Sequence, residues 1–129
     1  MKIREVMSPL PVTVRPDWPV RRALELLVEH EISGLPVVDA QDQIVGVVSE
    51  KDLLMLFSDG IPESVAAVMT RDPVMVSVEA PVVEVVDCLM TYDFRRVLVH
   101  EKGRLVGVVS RSDLMPVILR LLLERTDAG

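Results

Sequence analysis

The chain contains one pattern twice, and this duplication constrains the fold more than any other feature of the sequence. Val6-Met7-Ser8 recurs as Val68-Met69-Thr70. The stretch from Val45 to Leu53 recurs, with its glycine, serine and aspartate in the same places, from Val106 to Leu114. A solenoid needs more than two units to bury a continuous core. We therefore expect one module built from two similar halves.

Composition narrows the class of protein. The 129 residues are 50% hydrophobic but only 3% aromatic, which predicts one folded module with an aliphatic core. The net charge of −6 argues against general binding to nucleic-acid phosphates. The sequence shows no apolar run long enough to span a bilayer and no signal-peptide pattern. Cys88 is the single cysteine, so we expect no intrachain disulfide and a cytoplasmic location.

Each copy is predicted to begin with a strand and an amphipathic helix. In the first copy the strand covers residues 11–14, Asp17 is expected to cap the helix, and Pro19 lies in the first turn. Glu79 and Pro81 hold the same places in the second copy. The helical spacing of apolar residues predicts the buried faces, which are Val20, Ala23, Leu24, Leu27 and Val28, and then Val82, Val85, Val86, Leu89 and Met90.

A hairpin and a second helix complete each copy. Residues 35–38 and 44–48 are apolar runs joined by a polar turn, which is typical of a hairpin. The second helix is predicted to begin at Ser49. The predicted fold class is therefore α+β, with two halves, residues 1–61 and 62–129, that share one core. Each half has the order strand, helix, strand, strand, helix.

The C-terminal stretch departs from the repeat. Pro116 lies inside the predicted second helix of the second copy, where a proline removes one helical hydrogen bond and is expected to kink or restart the helix. Leu119, Leu122 and Leu123 follow as an apolar face without an obvious partner. Two interpretations remain open, because this face could form an interface or cover the core of its own chain.

The repeated motifs resemble the cystathionine β-synthase (CBS) domain, here as a tandem pair that covers nearly the whole chain. In the first copy the resemblance is carried by Val6-Met7-Ser8, by Gly34 to Asp39, and by Gly46 to Ser49 with Asp52. In the second copy it is carried by Val68-Met69-Thr70 and by Gly107 to Ser110 with Asp113. The resemblance implies two CBS repeats related by a pseudo-twofold axis and packed through their sheets. It also implies a homodimeric regulatory module that is no enzyme, requires no cofactor, and binds AMP, ADP, ATP or S-adenosylmethionine in its clefts.

The Ser-x-x-Asp motif that ends each hairpin is the sharpest candidate site. Ser49 with Asp52, and Ser110 with Asp113, match a capping box, in which serine and an acidic residue cap a helix start. The resemblance implies a second role, in which the aspartate accepts hydrogen bonds from both ribose hydroxyls and the serine faces the ribose or phosphate. A carboxylate suits that role because charge-assisted hydrogen bonds are stronger than neutral ones. Both roles can coexist.

Positive charge is concentrated around the second motif. Arg95, Arg96 and Arg111 stand where the first copy has a serine, a glycine and a glutamate. Arginine offers forked donors that match phosphate oxygens, so these residues are predicted to favour a phosphorylated ligand in the second copy. The alternative is a solvated surface cluster that offsets Asp93 and Glu101.

The remaining candidates are individually weaker. Thr13 could hydrogen-bond a base or ribose, but its counterpart in the second copy, Met75, cannot donate. Lys51 is a basic candidate near the first site. The complete predicted ligand-binding set is Thr13, Gly34, Leu35, Pro36, Ser49, Lys51, Asp52, Val74, Arg95, Arg96, Val97, Ser110, Arg111 and Asp113.

Catalytic and metal-binding patterns are not apparent in the sequence. We find no metal-ligand spacing, no Ser-His-Asp or Cys-His arrangement and no glycine-rich phosphate loop. The leading hypothesis is a regulatory module that senses an adenosine-containing ligand. The alternative is a structural or interaction module whose clefts stay empty and which dimerises or recruits an unknown regulated protein through its C-terminal helix.

Overall fold

The hairpins and helices follow the predicted order in both copies. The computed structural model describes residues 1–9, 12–92 and 95–128, excluding the side chains of 59 and 126–128. The strands are β1 (Gly34–Val38), β2 (Ile44–Ser49), β3 (Thr70–Arg71), β4 (Met75–Ser77), β5 (Arg96–Glu101) and β6 (Arg104–Ser110). The helices are α1 (Val20–His30), α2 (Glu50–Leu54), α3 (Leu56–Asp59), α4 (Val82–Tyr92) and α5 (Arg111–Ala128). Short 3-10 turns at Ile3–Glu5 and Val65–Ala67 open the two copies.

The apolar strands form two three-stranded sheets. Their orders are β1-β2-β3 and β4-β5-β6. β1 and β2 run antiparallel with Gly34 opposite Ser49, and β3 joins β2 with Thr70 opposite Val47. β4 runs parallel to β5. The combination of these two sheets with helices confirms the α+β fold class.

The segment that opens each copy packs with the other copy. The first-repeat unit consists of residues 11–74 with 103–105, and the second-repeat unit consists of 1–10, 75–102 and 106–129. The opening segment of the first copy therefore belongs to the second-repeat unit, and that of the second copy belongs to the first-repeat unit. Sequence order alone would have kept each opening segment with its own copy.

Val65 ties the exchanged segment into the first-repeat unit. Its side chain is fully buried, and its backbone N–H donates to the Trp18 carbonyl oxygen at 2.9 Å. The next residue, Ala66, donates to the Pro16 carbonyl oxygen at 2.8 Å. The buried core of this unit is aliphatic, as predicted, and consists of Val14, Val20, Ala23, Leu26, Leu27, Leu35, Val37, Val48, Leu53 and Val65.

Ile3 has the same role in the second-repeat unit. Its side chain is fully buried, and its N–H donates to the Ala80 carbonyl oxygen at 3.3 Å. Further along, Ser8 and Val108 exchange two backbone hydrogen bonds of 2.8 and 2.9 Å. The buried core of this unit consists of Ile3, Val76, Val78, Val85, Leu89, Val97, Val99, Val109 and Leu114.

The predicted helix caps Asp17 and Glu79 are wrong. α1 begins directly after Pro19, which is itself the N-cap residue, and α4 begins directly after Pro81. Proline suits the entrance because its fixed φ is compatible with a helix start and its missing N–H would have no helical partner there. Glu79 instead accepts hydrogen bonds from Lys2 at 3.0 Å and Arg4 at 3.1 Å. These two bonds hold the pKa of the Glu79 carboxyl below its ordinary value.

The predicted buried faces of α1 and α4 are partly wrong. Leu24 and Val28 are 45% and 70% exposed, whereas Leu26, absent from the predicted face, is buried. In α4, Val86 and Met90 are likewise exposed. At 100° per residue, these four side chains lie beyond one edge of the arc that faces the core.

The predicted first strand is wrong, and of the two outcomes expected at Pro116, a kink or a restart of the helix, the restart does not occur. Pro11 lies outside the described residues, and Val12 and Thr13 are not in a strand, while Val14 forms only an isolated parallel bridge to Val37. At the other end, α5 continues through Pro116 to Ala128 instead of restarting. The helical bond that Pro116 cannot make would go to the carbonyl of residue 112, which is exposed and can bond to water.

Candidate functional site

The first Ser-x-x-Asp motif forms the predicted capping box. Ser49 is the N-cap of α2, and its Oγ accepts from the Asp52 N–H at 3.2 Å. In return, Asp52 Oδ2 accepts from the Ser49 N–H at 2.8 Å and from the Ser49 hydroxyl at 2.9 Å. These reciprocal bonds fix the carboxylate at the end of β2, where it is only half-buried. It is therefore a preoriented acceptor.

The other carboxylate oxygen of Asp52 is also engaged. Asp52 Oδ1 accepts from the hydroxyl of Thr70 at 3.1 Å. Thr70 opens β3 and is part of the exchanged segment of the first-repeat unit. The sequence did not point to Thr70 as a site residue, although the recurrence of Val-Met-Ser as Val-Met-Thr preserved a hydroxyl at this position.

The second motif repeats this geometry within the second-repeat unit. Asp113 Oδ2 accepts from the Ser110 N–H at 2.8 Å and from the Ser110 hydroxyl at 3.0 Å, and Oδ1 accepts from the Ser8 hydroxyl at 2.9 Å. One difference is Ser112, whose Oγ lies 2.9 Å from Ser110 Oγ. The first motif has Lys51 at that position.

Glycine allows the exchanged segments to lie close to these motifs. A Cβ on Gly46 would lie 2.8 Å from the carbonyl oxygen of Thr70 and 2.9 Å from the sulfur of Met69. A Cβ on Gly107 would lie 2.9 Å from both the carbonyl oxygen of Ser8 and the sulfur of Met7. The repeated glycine and the repeated methionine are therefore two sides of one contact, which places the Ser8 and Thr70 hydroxyls beside the carboxylates.

The other predicted residues of the first copy lie around Ser49 to different extents. Gly34 is directly opposite Ser49 across the hairpin, so the structure brings these two together. Leu35 and Pro36 follow in β1 and are buried. Thr13 is half-buried beside the bridge at Val14, and Lys51 is exposed on α2.

Among the predicted residues of the second copy, Arg96 has the most unusual surroundings. It is the first residue of β5, and its Nε is buried without a hydrogen-bond partner among the described residues. Arg95 and Arg111 are exposed. Val97 lies in the core, and Val74 is 36% exposed, so both offer only apolar contact.

The hairpin geometry places Arg96 at the same end of the sheet as Ser110. β5 and β6 are neighbouring strands joined by Lys102 and Gly103, which both have positive φ. Such a two-residue turn makes the strands antiparallel, so the start of β5 lies beside the end of β6. An unsatisfied buried N–H is costly, which makes Arg96 a ready donor for an anionic or carbonyl acceptor.

Family models identify this arrangement. The model of the CBS domain matches residues 3–59 and again residues 65–120. The chain belongs to the CBS domain family. Both copies are matched, so the predicted tandem CBS pair is confirmed.

Relatives of this CBS pair include enzymes and ligand-binding proteins. CBSX2 in complex with AMP is 32% identical, with a TM-score of 0.82 over 93% of this chain and 97% of that chain. The CBS-domain containing protein ATU1752 from Agrobacterium tumefaciens is 27% identical, with a TM-score of 0.75 over 91% of this chain and 98% of that one. The A-adding tRNA nucleotidyltransferase of Aquifex aeolicus is 31% identical over 92% of this chain, which spans only 14% of that enzyme.

The described residues contain neither a group of metal ligands nor a helix that could span a membrane. Within residues 1–9, 12–92 and 95–128, no three His, Cys, Asp or Glu side chains are grouped as metal ligands. None of the helices in that part of the chain has both the length and the apolar character needed to cross a membrane.

Burial raises the pKa of the Cys88 thiol, assisted by the negative charges of Asp87 and Glu84, so the thiol is protonated and weakly nucleophilic at neutral pH.

Proposed function

We propose that this CBS pair is a cytoplasmic regulatory module that binds an adenosine-containing ligand, such as AMP, ADP, ATP or S-adenosylmethionine. The observation that carries the proposal is the duplicated, preoriented carboxylate of Asp52 and Asp113. A carboxylate can accept both hydroxyls of a ribose, and these bonds are charge-assisted. The similarity to CBSX2, whose structure contains AMP, supports adenosine as the ligand class.

The test of this proposal is a calorimetric titration of AMP into wild type and the variants Asp52→Ala and Asp113→Ala. Losing a charged hydrogen-bond partner costs about 1.5–3 kcal/mol, so each variant should lose about tenfold or more in affinity at its own site. Each variant should also melt at a lower temperature, because the same carboxylate stabilises a helix start. A lower melting temperature with unchanged affinity would leave Asp52 and Asp113 as structural caps only.

The arginines favour a phosphorylated ligand at the second motif. The Arg96 Nε, which is buried and has no hydrogen-bond partner in the described part of the chain, would gain an acceptor from a phosphate oxygen, and Arg95 adds positive charge nearby. The first motif has Gly34 in place of Arg96 and the acidic Glu50 in place of Arg111. AMP should therefore prefer the site of Asp113, whereas uncharged adenosine should discriminate less.

The double variant Arg95→Ala/Arg96→Ala checks this preference. We expect AMP to bind about tenfold more weakly and adenosine to change little, because only AMP carries a phosphate. Added salt should narrow the difference between AMP and adenosine in wild type, since it screens partly exposed charges. If the double variant lost affinity equally for AMP and adenosine, or kept the wild-type affinity for AMP, these arginines would be surface charges with no role in phosphate binding.

A second candidate function is an interaction module, and α5 favours it. Five aliphatic side chains of this helix are 47–58% exposed: Ile118, Leu119, Leu121, Leu122 and Leu123. Phe57 of α3 is 92% exposed. Large exposed apolar groups commonly mark an interface, and we propose that a homodimer or a regulated protein covers these.

Sedimentation equilibrium tests the homodimer. Among the apolar residues of the second helix of each copy, Leu53 and Leu114 are buried in the cores of their own units and do not offer a surface for this contact. Phe57, Ile118 and Leu122 remain candidates for the contact, and Leu56 is half-buried. A monomer at high micromolar concentration would contradict the dimer, and dimerisation without any response to nucleotides would favour the interaction module alone.

A further inference from the structure

The two carboxylates differ in how they can make room for a ligand. Asp52 and Asp113 each accept three hydrogen bonds, two on Oδ2 and one on Oδ1. A carboxylate has about four acceptor positions, so about one remains. A ligand with a single hydroxyl fits that position. A vicinal diol brings two donors, so one bond within the protein must break.

At Asp113, the bond that can break without loss belongs to Ser110. Its hydroxyl lies 2.9 Å from the hydroxyl of Ser112 and can donate there instead. Ser8, the other candidate, is half-buried and held by two backbone bonds to Val108. A diol can therefore bind Asp113 while Ser8 stays in place.

At Asp52, this alternative is missing. Lys51 replaces Ser112, and the Ser49 hydroxyl has hydrogen-bond partners only in Asp52 among the described residues. Thr70 is exposed, so its hydroxyl can bond to water once it leaves Asp52, an outlet that the Ser49 hydroxyl lacks among its described partners. Thr70 is therefore the group that must leave when a diol binds.

We infer that the Thr70 hydroxyl is an internal competitor for a vicinal diol at Asp52, and that Ser112 removes the need for such competition at Asp113. This inference rests on the proposed function and adds a regulatory contact to it. Thr70 opens β3, the strand that attaches the exchanged segment to β2. Ligand binding at Asp52 would thus release a tie between α2 and the segment that joins the two repeats.

The variant Thr70→Val tests the competition in an Asp113→Ala background, where only Asp52 can bind a diol. Valine keeps the shape of threonine and suits a strand. We expect adenosine to bind about tenfold more tightly to Thr70→Val, because the competing bond to a charged group is gone. The affinity for 2′-deoxyadenosine should change less than about twofold, because one hydroxyl needs only the remaining acceptor position. Thr70→Ser, which keeps the hydroxyl, should behave like the background.

The possible failures are distinguishable. If adenosine binds but Thr70→Val leaves its affinity unchanged, or shifts adenosine and 2′-deoxyadenosine equally, the competition is refuted while the proposed function stands. If adenosine binds neither the wild type nor any of the variants, the proposed function is refuted, and the competition is refuted with it. Thr70→Ala, with the same expected contrast between the two nucleosides, replaces Thr70→Val should the valine variant not fold.

Discussion

Replacing Gly107 with alanine should destabilise the protein by about 1–3 kcal/mol, the cost of overpacking a well-packed site. The new methyl group would lie 2.9 Å from the carbonyl oxygen of Ser8, which is part of a backbone bridge and cannot rotate away. The exchanged segment would have to shift, and the Ser8 hydroxyl would move relative to Asp113. Urea unfolding, compared with wild type, measures the loss.

Two further alanine variants make this measurement specific. Gly46→Ala meets the Thr70 carbonyl oxygen at 2.8 Å and should be equally damaging. Gly34→Ala is the matched control, because its nearest neighbour is the Val48 carbonyl oxygen at 3.4 Å, an ordinary contact distance. If all three variants lost the same stability, close approach of the exchanged segments could not be the reason for glycine at 46 and 107.

Ile3→Ala should destabilise the protein by about 2–5 kcal/mol, as expected for a large-to-small change in a core. Ile3 is the third residue of the sequence, yet its side chain is fully buried in the second-repeat unit. The alanine variant should therefore unfold at a clearly lower urea concentration.

Two further variants serve as comparisons for Ile3→Ala: a smaller truncation at the same position and the equivalent truncation in the other unit. Ile3→Val removes a single methylene and should cost only about 0.5–1.5 kcal/mol. Val65→Ala removes the equivalent side chain from the first-repeat unit and should also be clearly destabilising. Wild-type stability in Ile3→Ala would mean that the opening segment is a loose arm, which contradicts the exchange of segments.

Local patterns predicted the parts of the fold that depend on neighbouring residues. The hairpin of β1 and β2 and the Ser49 cap follow from apolar runs, a polar turn and a capping box, all within a few residues. The failures at Asp17 and Leu24 are also local. The N-cap of α1 is Pro19 and not Asp17, and an apolar residue such as Leu24 can lie just outside the buried face of the helix.

The non-local features could not be predicted from one sequence. Nothing near Ile3 or Ser8 indicates that they pack with residues about a hundred positions away in the chain, as Ser8 does with Asp113. The recurrence of Val-Met-Ser/Thr showed that the segment mattered but not which copy it joined. The same holds for Thr70, whose part in the candidate site depends on the pairing of β3 with β2.

Thermal unfolding of the wild type in the presence of AMP, ADP, ATP and S-adenosylmethionine, each compared with adenine, tests the central claim most directly. A ligand at a hundredfold excess over its dissociation constant stabilises the folded protein by about 2.7 kcal/mol. We predict that at least one adenosine compound raises the melting temperature by several degrees, and that adenine, which lacks the ribose hydroxyls for Asp52 and Asp113, does so far less. An unchanged melting temperature with all four compounds, or an equal response to adenine, would contradict the claim that these carboxylates bind the ribose of an adenosine ligand.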